Sequence, residues 1–270
     1  MPATKPHLIR FDGSMILTEN RHLAIEWYKE NLGLTLAWDS PDEEMALLLF
    51  PNHMFSLALK TAPEELLGDL VIDPRVYLCL AAPNLQNTLI KLRTNGVVTT
   101  DIYQGPTGDA MFDFFDLDGT RLTAVSMAAL AEADPAIYAL GQEFPDAPFV
   151  AYMAHRIGVS DLPAMSKWYQ EYLGLQLFVD LTDLGTHLLG WPCSAPVWLE
   201  QREREQFDGK EQTTSRIYIL TPDLEGARSY FQGLGMETSE VQGQEGQLRT
   251  FYTYDPDGNQ LHLWSYPEAG

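Results

Sequence analysis

Residues 13–18 and 153–159 alternate enough between apolar and polar to read as strands, and "MALLLF", "FSLALK", "THLLGW" and "PVWLEQ" read as further short strands. That alternation predicts strands with one buried face. Between them the period lengthens to that of a helix. In "NRHLAIEWYKENLGL", Leu23, Ile25, Trp27 and Tyr28 fall on or near one helical face, with Gly33 at the stop. Asp161 is placed to cap an equivalent helix that carries Leu162, Met165 and Tyr169. The strands "LTLAW" and "QLFVDL" follow these helices. Each half then restarts with a strand, "VYLCLA" or "RIYILT", a second helix and further strands. The local unit is strand, helix, three strands. A unit of that size cannot close a core alone. Two are therefore expected to face each other as a curved mixed-sheet cup with helices outside, an α+β fold.

The pattern is written twice. "IEWYKENLGLTL" from Ile25 returns as "MSKWYQEYLGLQL" from Met165, with Trp27 and Trp168 standing 141 positions apart. "FFDLDGTRLTAV" returns as "YTYDPDGNQLHLW", with Gly119 and Gly258 139 apart, and Gly96 and Gly235 repeat that offset. Three echoes at nearly one offset mark two homologous domains, 1–127 and 149–270. The linker 128–148 is Ala-rich first and Pro-punctuated later, which predicts a short helix followed by a loop.

Charge narrows the partners. The net charge is −21, from 17 basic and 38 acidic residues. Phosphate contacts need clustered Lys and Arg, so nucleic acid is not an expected partner. An anionic membrane surface is disfavoured for the same reason. No apolar run approaches a transmembrane length, and "MPATKPHLIRFDGS" lacks the charged-then-apolar order of a signal peptide. Cys79 and Cys193 are the sole cysteines, so no disulfide framework is implied and a cytoplasmic location is expected.

The strand–helix–three-strand unit, the "WY…LGL" helix and the "DPDGN" turn resemble the vicinal-oxygen-chelate superfamily. That group includes glyoxalase I, bleomycin-resistance proteins and type I extradiol dioxygenases. The resemblance spans both domains, and four units in one chain is the extradiol arrangement. It implies a small-molecule ligand inside a cup, with family members often pairing units between subunits, so a homodimer is one assembly open to it. It also implies metal-ligand positions, which fall on Ala154, Arg216 and His262 in the second domain, with Glu200 as a further carboxylate. In the first domain they fall on Gly13, Tyr77 and Thr123. Ala and Gly offer no ligand atom, and Arg is always cationic. The usual triad of two His and one Glu is thus missing. Arg216 argues instead for an anion, such as a carboxylate or enolate on a ligand.

Strand parity places His262 and Trp264 on the cup side, with Leu261 and Leu263 toward the helices. The same rule pairs Trp198 with Glu200 and sets His155 on the helix side, unless a bulge reverses it. Tyr252 matches a tyrosine that in extradiol enzymes hydrogen-bonds substrate. The expected ligand-binding set is Trp198, Glu200, Arg216, Tyr218, Tyr252, His262 and Trp264, with Tyr252 and His262 as acid–base candidates. No cofactor is expected. For each member there is a structural alternative: His262 satisfying a neighbour's hydrogen bond, Tyr252 as an ordinary strand tyrosine, and Glu200 neutralised by Arg216. The competing functional reading is a metal-dependent lyase or ring-cleaving extradiol dioxygenase. It would hold one divalent Fe, Mn, Zn or Ni on His155, Glu200 and His262. The "DPDGN" residues Asp255 to Asn259 read as turn chemistry.

Overall fold

A computed structural model describes residues 7–8, 10–53, 55–66, 75–129, 135–192, 194–207, 214–244 and 248–265. Four strand–helix–strand repeats fill it. The first runs β1 (Arg10–Thr18), α1 (Arg21–Leu32), β2 (Thr35–Ser40), β3 (Met45–Leu49) and β4 (Ser56–Thr61). The second is β5 (Val76–Ala82), α2 (Leu85–Thr94), β6 (Tyr103–Gln104), β7 (Ala110–Phe115) and β8 (Arg121–Ser126). A linker helix, α3 (Pro135–Glu143), separates these from the third repeat. That repeat has β9 (Ala151–Val159), α4 (Leu162–Trp168, continued by a π turn over Tyr169–Leu173), β10 (Gln176–Leu181), β11 (Thr186–Gly190) and β12 (Val197–Gln201). The fourth has β13 (Ser215–Leu220), α5 (Leu224–Gly233), β14 (Arg249–Tyr254) and β15 (Gln260–Ser265). Among its described residues the strand expected after α5 is reduced to single bridges at Thr238 and Gln242.

One hydrogen-bonding scheme recurs. The first strand of each repeat pairs parallel with its last: β1 with β4, β5 with β8, β9 with β12, β13 with β15. The remaining strands follow antiparallel. A parallel pair needs a crossover, and the helix supplies it. All four helices begin on a side chain that accepts a backbone N–H three residues on: Asn20, Asn84, Asp161 and Asp223. Gly33 and Gly174 end the α1 and α4 segments at φ 73° and 81°, a left-handed cap that costs other residues strain.

Of the described residues, one compact unit draws on 13–154 with 213–215, and the other on 155–212 and 216–270 with 1–12. The described strands fall into two mixed sheets, and within either unit its two repeats contribute to different sheets. Helix α5 buries Leu224, Ala227, Tyr230 and Phe231, and Phe231 meets Phe251 of β14 at 6.5 Å. Helix α1 buries Arg21, Ala24, Ile25, Tyr28, Asn31 and Leu32. Leu23, expected on that face, is 60% exposed. The stripe runs through positions 21, 24, 25, 28 and 32, and Leu23 lies off it. Within the linker, a 3-10 turn covers Met127–Ala129 and a helix covers Pro135–Glu143, while residues 130–134 of the Ala-rich segment lie outside the described residues. Ile137 and Leu140 pack against Ala81, Met127 and Val150. Cys79 is buried on β5, and Cys193 lies outside the described residues. Among the described residues no helix is long and apolar enough to cross a membrane.

Candidate functional site

Strands β13, β14 and β15 turn Ile217, Ile219, Phe251, Leu261 and Leu263 inward, all at 0–1% exposure. Their opposite face therefore carries Arg216, Tyr218, Tyr252, Tyr254, Gln260, His262 and Trp264. Register sets Tyr218 and Tyr252 directly opposite His262 on either side. The Tyr218 and His262 rings stack at 5.0 Å and 22°, and Tyr252 meets His262 at 5.6 Å. The His262 Nε2 lies 3.0 Å from Gln260 Oε1, so the buried imidazole is hydrogen-bonded along its own strand. Tyr254 stands edge-on to Tyr252 at 5.7 Å.

Arg216 is half-buried beside these rings. Burial draws its guanidinium below the usual range, while the Tyr218, Tyr252 and Tyr254 hydroxyls oppose that shift. Arg216 also hydrogen-bonds Tyr218. Burial pushes the Tyr218 phenol up to about 12, with Arg216 pulling the other way. At neutral pH Tyr218 is thus a protonated phenol beside a cation. This face thus brings together one stacked pair, Tyr218–His262, a tilted Tyr252 ring and the Arg216 cation.

Trp198 and Glu200 lie elsewhere. They sit on β12, in a different sheet from β13–β15, opposite Arg156 and Gly158 of β9. Glu200 forms an ion pair with Arg156, whose side chain is 6% exposed. The sequence offered Arg216 as one structural partner for Glu200; in the structure Glu200 pairs with Arg156. Arg156 shares strand parity with Ala154, a signal that was present in the sequence beside the more conspicuous His155. His155 is fully buried, 6.3 Å from the Phe11 ring, and burial alone lowers its pKa to about 3. It is neutral at physiological pH and faces the core, as parity indicated.

The alternative metal set does not fit these surroundings. His155 is enclosed, Glu200 is engaged by Arg156, and His262 lies in a different sheet from both. No group of three His, Cys, Asp or Glu suited to a metal forms among the described residues.

The "WY" helices and "DxDG" turns, the strongest echoes in the chain, meet in space. Asp255 accepts from the Asp257 and Asn259 N–H groups at 3.0 and 2.8 Å, and from the Tyr169 hydroxyl at 2.8 Å. Asp257 accepts from the Ser160 N–H and hydroxyl at 2.8 and 2.6 Å. The first half repeats this. Asp116 accepts from Asp118 and Thr120 N–H groups and from Tyr28, while Asp118 accepts from Thr18 and the Glu19 N–H. Burial raises both Asp116 and Asp255 to about 6 against these hydrogen bonds. These clasps are structural, in keeping with the turn chemistry read from the sequence.

The second repeat carries a polar network at positions equivalent to the aromatic face. Asp113, Arg121, Thr123 and Tyr77 each precede Tyr252, Gln260, His262 and Arg216 by 139 positions. Asp113 accepts from Thr123 at 2.6 Å and Tyr103 at 3.1 Å, and pairs with Arg121 at 2.8 Å. The Arg121 guanidinium lies 4.4 Å over the Tyr77 ring. Tyr77 and Thr123, at two of the ligand positions that the resemblance implies for the first domain, belong to this network. Asp113 amid the apolar "AMFDFF" was its sequence signal.

Residues 150–263 match the model of the Glyoxalase/Bleomycin resistance protein/Dioxygenase superfamily. The second half of the chain belongs to that superfamily. Among solved structures, glyoxalase I from Zea mays is 17% identical, with a TM-score of 0.65 over 95% of this chain and 92% of that one. A putative dioxygenase from Bacillus subtilis is 13% identical, with a TM-score of 0.66 over 98% and 87%. The cppA protein from Streptococcus pneumoniae is 13% identical, with a TM-score of 0.52 over 96% and 98%. At these identities the likeness concerns the fold. Among curated proteins, none matches the chain in sequence.

Proposed function

We propose that this superfamily member binds a small aromatic, anionic organic molecule on the β13–β15 face, without metal chemistry. The observation that carries the reading is the stacked Tyr218–His262 pair, with Tyr252 tilted against His262, beside the Arg216 guanidinium. A planar ligand would extend the stack, and its carboxylate or enolate would meet Arg216 and the Tyr218 proton. Glu200 is engaged by Arg156. Trp198 and Glu200 therefore leave the proposed set, which is Arg216, Tyr218, Tyr252, His262 and Trp264.

The test is calorimetric titration with 4-hydroxybenzoate and its methyl ester. The acid is expected to bind and the ester to bind about tenfold more weakly, since one charge-assisted hydrogen bond is lost. Arg216→Lys should narrow that difference, and His262→Ala should weaken both by several-fold through lost stacking. Equal binding of acid and ester by both proteins would sink the reading. Elemental analysis of protein purified without chelator separates the alternative. About one equivalent of Fe, Mn, Zn or Ni per chain would favour a lyase or dioxygenase with a ligand set still to be found.

A further inference from the structure

A cleft of about 420 Å³ opens beside the second clasp, within the unit that holds the third and fourth repeats. Ser160, Arg204, Phe207, Tyr254, Pro256 and Asp257 line it. Its size falls in the range of small-molecule sites. Two half-buried aromatic side chains, Phe207 and Tyr254, meet one cation and one carboxylate there. Arg204 is exposed and makes no ion pair among the described residues. The Asp257 carboxylate holds Ser160 through two hydrogen bonds and lines the same cleft as Arg204.

An internal comparison shows that the clasp does not require this lining. The first half contains the same clasp, with Thr18 and Asp118 standing for Ser160 and Asp257. There, the residue three positions beyond the repeat's last strand is Glu64, whereas here it is Arg204. The cation is present on one copy of a shared scaffold, near an acid that both copies have. A simple anion would meet Asp257, and a simple cation would meet Arg204. A ligand carrying both charges avoids either repulsion.

We infer that this cleft binds the head group of an aromatic α-amino acid, its carboxylate on Arg204, its ammonium on Asp257 and its ring against Phe207 and Tyr254. The inference is independent of the β13–β15 reading and uses none of its proposed residues, although Tyr254 lies on the same face. The amino acid could be free or the end of a peptide, and the probes tell these apart.

The experiment is calorimetric titration of the full chain at pH 7 with L-tryptophan, L-tryptophanamide and N-acetyl-L-tryptophan. The free amino acid is expected to saturate, and each blocked form to bind about tenfold more weakly. If only the amide keeps its affinity, the ligand is a peptide N-terminus; if only the acetyl form does, a C-terminus. Either outcome retains one of the two charge contacts. Arg204→Gln should lower tryptophan affinity to the level of the amide. Because Arg204 is exposed, its melting temperature should not move. Asp257→Asn should instead remove the preference for a free ammonium. Three equal affinities, no saturation, or unchanged binding by Arg204→Gln would each overturn the inference. His262→Gln should leave tryptophan binding intact. Loss there, with Arg204→Gln unaffected, would place tryptophan on the β13–β15 face and refute the cleft.

Discussion

Glu200 shows how much a single pairing decides. Its partner Arg156 is nearly enclosed, so removing the carboxylate would strand a buried cation. Glu200→Ala is expected to cost about 3–5 kcal/mol, and an Arg156→Met, Glu200→Leu double variant to recover most of it, as chemical denaturation will show. Coupling between Glu200 and Arg216 should be near zero in a double-mutant cycle. His155 bears on pH. Its folded pKa of about 3 lies below the ordinary histidine value, so the unfolded chain binds the proton first. Stability from this residue is complete above pH 6.5 and falls as pH drops toward 3. Relative to His155→Leu, the wild type should lose about 2 kcal/mol between pH 7 and pH 5. Urea denaturation at the two pH values reads this, and parallel curves would refute the buried, neutral assignment.

At the scale of elements, the clasps tie each first or third repeat's helix to the turn of the repeat that follows it. Tyr28 and Tyr169 donate to Asp116 and Asp255 from the "WY" positions. Both carboxyls are raised to about 6, so here the folded state binds the proton more tightly than the unfolded state. Their contribution is fully present below about pH 4, declines as pH rises to about 6, and is level above that. Each shift corresponds to at most about 3 kcal/mol. An Asp116→Asn, Asp255→Asn variant should therefore lose less stability than the wild type as pH rises from 4 to 6.5, measured as the change in denaturation midpoint. Tyr169→Phe should cost about 1–2 kcal/mol, since it leaves a buried carboxyl oxygen short of a donor.

For the whole molecule the dominant long-range term is the net charge of −21. Self-repulsion of that size opposes the compact state and is screened by salt. Raising NaCl from about 10 to about 150 mM should raise the melting temperature, most steeply at low salt, because the screening length shortens over that interval. A flat response would mean that local pairs such as Arg156–Glu200 and Arg121–Asp113 already compensate the field. The same field bears on ligands: an anion reaching Arg216 does so against the molecule's overall charge, so its affinity should also strengthen with modest salt.

What the sequence determined by itself is whatever rests on neighbours along the chain. The four caps at Asn20, Asn84, Asp161 and Asp223, the stops at Gly33 and Gly174, and the inward leucines of β15 all follow from local spacing. So do the echoed "WY" and "DxDG" motifs, from which the superfamily fold was legible. What only the tertiary structure decided is which distant groups meet. Strand pairing gave Glu200 to Arg156, and sheet membership separated Trp198 from His262. Cross-strand packing assembled Asp113, Arg121, Thr123 and Tyr77 into one network. Parity says which face a side chain takes, but not which strand lies beside it. That choice comes from burying several faces at once, a condition that no single stretch of sequence contains.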